Sequence, residues 1–301
     1  MRLMPLMLAA TMLAAPAMAA DLTGTLQKIK ETGTITLGVR DSSIPFSYLD
    51  DQQKPVGYAI DICYKIVDAV KQELKLPDLK VQTVSVLSSN RIPLMANGTI
   101  DLECGSTTNN VDRQKQVAFT NTHYLTASMF VAKKASHLTT IESLAGKTVV
   151  STAGSTNIVQ LNQANATRKL GITVLAAKDH AEAFLMVETD RAAAFVMDDI
   201  ILASFIASAK DPSAYALGDE AFSLAEPYGI MLRKDDVPFK ALADKATSDL
   251  YLSPEGKAIY AKWFQAPIPP KGLNLNTPMS KGMVHAYAHP SDNPDPESYV
   301  E

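Results

Sequence analysis

The sequence predicts an α/β protein of two like units, each a β-sheet flanked by helices, joined by two hinge strands. Three observations predict it. Residues 34–104 alternate strand, helix, strand, short helix and strand, the order of a parallel sheet covered on both faces. A second run of the same kind starts near residue 143 and ends near 209. Extended segments at 123–134 and 225–236 lie on either side of that second run, as a chain that leaves one unit and returns must show. The length agrees, since 301 residues suit one large domain or two ordinary ones.

Each element follows from a local pattern. TITLGVR (34–40) alternates β-formers and reads as a strand. Residues 41–58 carry two prolines and read as a loop with a short strand. From 59 to 75, Ile62, Ile66, Val70 and Leu74 recur every four residues, the stripe of an amphipathic helix. KVQTVSV (80–86) is the next strand. Residues 88–98 read as a short helix with Ser or Asn as cap, Pro93 in its first turn and Asn97-Gly98 as its stop. TIDLECGS returns to a strand.

In the second unit, 143–152 ends in a strand and 153–163 turns into a helix. Residues 172–180 read as strand then loop, and 181–190 as a helix with Ala183, Phe184 and Val187 inward. Residues 191–199 read as a buried strand and 200–209 as a helix. The helices of 237–266, with Trp263, are expected to return to the first unit, and the polar tail 290–301 to be loose. The expected boundaries are 21–125 with 227–301 for the first domain and 126–226 for the second.

Composition bounds the function. The chain is 47% hydrophobic and 20% charged, enough for an ordinary soluble core. A net charge of −4 argues against a nucleic-acid partner, which calls for a basic stripe. Residues 1–20 read as a signal peptide: Arg2, an apolar run too short to span a bilayer, then Ala17-Met18-Ala19, with cleavage expected after Ala19 or Ala20. No cysteine stands directly after that point to carry a lipid, and no later apolar run is long enough to cross a membrane. The expected location is therefore a bacterial periplasm. In an exported chain, two cysteines favour a Cys63–Cys104 disulfide, with two separate buried thiols as the alternative. The five histidines read as scattered, so no metal site is expected. No phosphate-binding glycine motif appears, and no cofactor is expected.

In open α/β sheets, ligands sit beyond the carboxyl ends of the strands. Those ends carry Arg40, then Ser88 to Arg91, then Ser106 to Arg113, and in the second unit Ser155-Thr156, His180 and Asp198. Arg40, Arg91 and Arg113 are forked donors suited to carboxylates. Asp198 suits an ammonium. Ser88, Ser106, Thr108 and Thr156 offer hydroxyls, and Gly154-Ser155-Thr156 precedes a helix start whose free N–H groups favour an anion. Three arginines and one acid give +2 with His180 neutral. A dicarboxylic amino acid carries −1, and a neutral one would leave an arginine cluster desolvated and unpaired. Taken singly, each residue has an ordinary reading: a surface salt bridge for an arginine, a solvated turn for the hydroxyls, a helix cap for Asp198-Asp199. Their recurrence at successive strand ends is what points to a site.

The stretches VRDSSIPFSYLDDQQKPVGY, SSNRIPLMANGTIDLECGSTTNNVDRQ, AAKDHAEAF, AAFVMDDIILA, YGIMLRKDD and KWFQAPIPPKGLNLN carry a resemblance over roughly residues 25–280. The chain resembles the periplasmic solute-binding proteins of ABC amino-acid transporters, in their glutamate/aspartate-binding branch. The resemblance implies the two-domain periplasmic-binding-protein fold of type II. It implies that Arg113, with Thr108 and Thr156, grips the ligand α-carboxylate, and that Asp198 with Ser106 takes the ammonium. Arg40, Ser88, Arg91 and His180 then match the groups that hold the side-chain carboxylate. It also implies L-glutamate or L-aspartate as ligand, ABC permease subunits as partners, and a monomer without enzyme activity. The alternative from another class is a periplasmic dehydratase of the same fold acting on a prephenate- or arogenate-like dicarboxylate, which would also need several arginines.

Overall fold

The computed structural model describes residues 22–299. The signal-peptide reading, 1–20, falls outside the described residues. Two five-stranded sheets form two α/β domains. In the first, the order is Lys80–Ser85, Thr34–Val39, Leu102–Glu103, Met231–Arg233, Val117–Phe119. The first three strands run parallel, as the sequence order predicts. Met231–Arg233 is antiparallel to both of its neighbours, so the sheet is mixed rather than all parallel. The physical reason is connectivity. The chain re-enters this domain from the second one and inserts its returning strand beside Leu102–Glu103.

The second sheet repeats the plan in the order Thr173–Ala177, Thr148–Thr152, Ala194–Asp198, Ser128–Lys133, Tyr215–Leu217. Its first three strands are parallel and its last two antiparallel to their neighbours. Between the sheets, Tyr124–Thr126 pairs antiparallel with Glu226–Tyr228, with Leu125 opposite Pro227. These are the two hinge strands, and both belong to the extended segments expected to cross.

The helix at Tyr58–Leu74 buries the Ile62, Ile66, Val70 and Leu74 stripe completely or nearly so. Residues 41–58 form three short strands, 42–43, 47–49 and 55–56, rather than one. The short helix is Arg91–Ala96, and the strand expected from 99 shrinks to Leu102–Glu103. His180 stands not in a loop but as the first residue of the His180–Glu188 helix, whose Glu182 N–H is capped by Asp179. Ala183, Phe184 and Val187 face inward as expected.

Cys63, in the Tyr58–Leu74 helix, is bonded to Cys104, which follows Glu103 directly. The bridge ties the helix to the start of the Gly105–Arg113 loop.

The tail reading needs correction over 290–299. Asn109 Nδ2 and Gln114 Nε2 both donate to the Asp292 carbonyl, at 2.8 and 3.1 Å. Thr122 N–H donates to the Ser291 carbonyl, Lys240 pairs with Asp292, and Tyr299 is buried against Thr122. Polar, proline-containing composition predicts looseness only where no partners await its carbonyls, and here the side-chain amides of Asn109 and Gln114 supply them. The reading of the histidines as scattered also misses one pair. His285 and His289 stand one turn apart on the Lys281–Ala288 helix and its C-cap, with ring centroids 4.7 Å apart. Among the described residues no third metal-ligating side chain joins them.

Candidate functional site

The carboxyl ends of both sheets meet at one buried cluster. Arg40 follows the end of the Thr34–Val39 strand and is 2% exposed. Its Nη2 donates to Ser88 Oγ at 3.0 Å and faces His180 Nε2 across the domains at 3.4 Å. An arginine cannot accept, so in this arrangement Nε2 is the acceptor. His180 then carries its proton on Nδ1, which donates to Thr152 Oγ1 at 2.8 Å. Burial first, then the charges of Arg40 and Arg91, hold His180 well below its ordinary value, so the ring is neutral. Arg91 is buried at the start of its helix, its Nη1 3.4 Å from the Ser106 carbonyl and 3.7 Å from Glu103 Oε1. Burial, then the neighbouring Arg91, lowers Arg40 to about 10, which still leaves it cationic at neutral pH.

A second cationic end lies along the same seam. Asn110 caps the helix Val111–Gln114 by accepting from the Arg113 N–H, which fixes where Arg113 begins. Arg113 Nη1 donates to the Thr108 carbonyl at 2.8 Å, and Nη2 crosses to the Gly154 carbonyl at 3.2 Å. Thr108 and Thr156 hydroxyls face each other across the domains at 3.3 Å. Burial, then Arg91, lowers Arg113 to about 9, so it too remains cationic at neutral pH.

Asp198 is the N-cap residue of the Asp199–Ser208 helix but makes no side-chain cap bond. Its carboxylate instead accepts from Asn157 Nδ2 at 2.8 Å and from the Tyr228 hydroxyl of the hinge. Burial pushes it up to about 6, against the lowering effect of those two hydrogen bonds.

Ser88, Arg91, Ser106 and Thr108 from the first domain and Thr156, His180 and Asp198 from the second line one closed seam, with about 10 Å³ of free space between them. Arg40 and Arg113 adjoin it through Ser88, His180 and Thr108. Arg40 Nη1, Arg91 Nε and Ser106 Oγ are buried with no hydrogen-bond partner among the described residues. Unmet donors of this kind are costly unless a ligand completes them. All nine predicted residues are thus brought to one place.

Sequence reasoning missed Glu103, Asn157 and Tyr228. Asn157 follows Thr156 directly and could have been found as the next residue of the helix start. Tyr228 reaches Asp198 from the returning hinge strand, with no sequence signal. Glu103 is fully buried and accepts from Thr107 Oγ1 at 2.5 Å. It corrects the charge count: three arginines against Asp198 and Glu103 give +1, not +2. A ligand of net charge −1 then leaves the site neutral.

The sequence of the family described as bacterial extracellular solute-binding proteins, family 3, matches residues 35–266. The L-glutamate/L-aspartate-binding protein of Pseudomonas aeruginosa is 50% identical, over 97% of this chain and 98% of its own. The glutamate/aspartate import solute-binding protein of Escherichia coli is 46% identical, over 89% of this chain and 88% of its own. Among solved structures, an ancestral arginine-binding protein bound to arginine superposes with a TM-score of 0.69 at 27% identity, covering 77% of this chain and 98% of its own. An ancestral amino acid-binding protein described as a precursor of cyclohexadienyl dehydratase reaches a TM-score of 0.67 at 24% identity, over 80% of this chain and 99% of its own, a likeness of fold alone. Two sheets closing on a charged seam and a match over most of the length agree: the chain belongs to the bacterial extracellular solute-binding proteins of family 3, in the type II periplasmic-binding-protein fold.

Proposed function

We propose that this protein binds L-glutamate or L-aspartate between its domains in the periplasm and delivers it, as a monomer, to the permease subunits of an ABC importer. One observation carries the reading. Three buried arginines at two ends of one interdomain seam, with Asp198 between the domains and Glu103 behind the arginines, leave +1, a match for a ligand of two carboxylates and one ammonium. Arg113, Thr108 and Thr156 hold the α-carboxylate. Asp198 and Ser106 hold the ammonium. Arg40, Ser88, Arg91 and His180 hold the side-chain carboxylate; on binding, the His180 proton moves from Nδ1 to Nε2, and the Thr152 hydroxyl turns to donate to Nδ1. The names of the relatives at 46–50% identity support the same ligands and support import over a dehydratase.

The bodies that close are 22–125 with 227–299, and 126–226. Ligand bridges them, and only its greater affinity for the closed state drives closure. Micromolar affinity needs only about −8 kcal/mol, so most of the gross attraction is offset by desolvating the charges.

The test is calorimetric titration of unfolded, ligand-stripped and refolded protein with L-glutamate, L-aspartate, L-glutamine and L-arginine. One-to-one binding of glutamate or aspartate, with weak glutamine and no arginine, is expected. Binding of glutamine or arginine alone overturns the assignment of Arg40, Arg91 and His180 to an acidic side chain.

A further inference from the structure

The arginines of the side-chain end are backed by an anion that touches no ligand position. Glu103 ends the short Leu102–Glu103 strand with a side chain fully buried. Thr107 donates to its Oε2, while Oε1 lies 3.7 Å from Arg91 Nη1 and has no hydrogen-bond partner among the described residues. Its carboxylate folds back over Gly105. A Cβ at Gly105 would lie 2.2 Å from Glu103 Oε1 and 3.0 Å from the Arg40 Cγ, so the Arg40 stem, Gly105 and Glu103 meet at one point. Two guanidinium groups and a threonine hydroxyl give this fully buried carboxylate the partners that burying a charge requires. Replacing Gly105 by any other residue would displace it.

We propose that Glu103 is a positioning and selectivity residue: a fixed anion behind Arg40 and Arg91 that sets how strongly the side-chain end attracts a second carboxylate. This rests on the assignment of that end under Proposed function. Without Glu103 two buried guanidinium groups would face each other with no counter-charge until ligand arrived, and the ligand-free protein would be destabilised. With it, the pair is held in place before binding, but part of its field is already met. The incoming carboxylate competes with Glu103 for the same arginines. The protein thereby exchanges some discrimination between an acidic and an amide side chain for a ligand-free state that keeps its site assembled. The same balance matches a site of +1 to a ligand of −1, and disfavours diacids that lack an ammonium.

The experiment compares wild type with Glu103→Gln and Thr107→Val, each stripped of ligand and titrated with L-glutamate, L-glutamine and glutarate. Glu103→Gln keeps shape and an acceptor for Thr107 but removes the charge. It is expected to raise the glutamate-to-glutamine affinity ratio about tenfold, to strengthen glutarate binding, and to lower the melting temperature of the ligand-free protein. Thr107→Val removes the hydrogen bond and keeps the charge, so its ratio is expected to stay within twofold of wild type. An unchanged or lowered ratio in Glu103→Gln overturns the proposal, as does an equal change in Thr107→Val, which would mean geometry and not charge. If Glu103→Gln does not refold, Glu103→Asp, which keeps the charge on a shorter stem, must retain the wild-type ratio within about threefold, and a larger change overturns the proposal. Failure of wild type itself to bind glutamate or aspartate would strike the functional reading instead, before any variant is compared.

Discussion

At the scale of single residues, Asp198 links the site to pH. Its carboxylate is held up at about 6 by burial, opposed by the hydrogen bonds from Tyr228 and Asn157, and Asp199 and Arg113 act on it as charges of opposite effect. Only the ionised form can pair with an ammonium. A ligand that needs it therefore binds about tenfold more weakly at pH 5 than at pH 7, while its own side-chain carboxylate is still mostly ionised. The stability of the ligand-free protein runs the other way. A carboxylate raised in the folded state favours folding below its unfolded value, about 3.9, and loses that contribution as pH rises through about 6. Glu226, held at about 7 by burial and then by the charge of Asp198, titrates in the same window. Calorimetry on Glu226→Gln at pH 5, 6 and 7 isolates Asp198. An affinity flat across that range would mean that Asp198 does not hold the ammonium. The sequence could locate Asp198 because a lone acid ends an apolar strand. It could not locate Glu103, because a carboxylate at an alternating strand position reads as solvated, and the two arginines that bury it come from other strands' ends.

Elements were legible where periodicity was long and illegible where a partner elsewhere decided them. The Tyr58–Leu74 helix announces itself through four apolar residues at a spacing of four, and it forms as expected. The direction of Met231–Arg233 depends on which neighbour it meets after crossing the hinge, which no local pattern carries. The docked 290–299 segment depends on the amides of Asn109 and Gln114, nearly two hundred residues away in sequence. The disulfide sits between these cases: compartment suggested it, and the fold brings helix and strand end together. Its ends are 41 residues apart, so in the chain-entropy picture it stabilises by about 4 kcal/mol. Replacing both cysteines by alanine is expected to lower the unfolding free energy by that order, read from urea transitions of ligand-free protein. A loss below about 1 kcal/mol would mean that the helix and the Gly105–Arg113 loop are held by packing alone.

For the whole molecule, one tight contact between the two domains is made by a glycine. Gly154 has a φ of +77°, and a Cβ there would lie 2.5 Å from Ser89 Cα and 2.8 Å from the Ser88 carbonyl of the opposite domain. Its own carbonyl receives Arg113 Nη2. The left-handed backbone strain of a non-glycine residue would be present whether the domains are together or apart, at a cost of about 1–3 kcal/mol. The collision with Ser88 and Ser89 exists only when they are together. Gly154→Ala is therefore expected to shift the balance toward separated domains while the protein still folds. Affinity for its ligand should fall by at least tenfold, because binding energy is spent on a closed state made less accessible. Small-angle scattering with saturating ligand would show incomplete compaction in the variant and full compaction in wild type. Normal affinity and normal compaction together would mean that Ser88 and Ser89 yield at no cost, and that closure is limited by the charged seam of Arg113, Thr108 and Thr156 rather than by backbone contact.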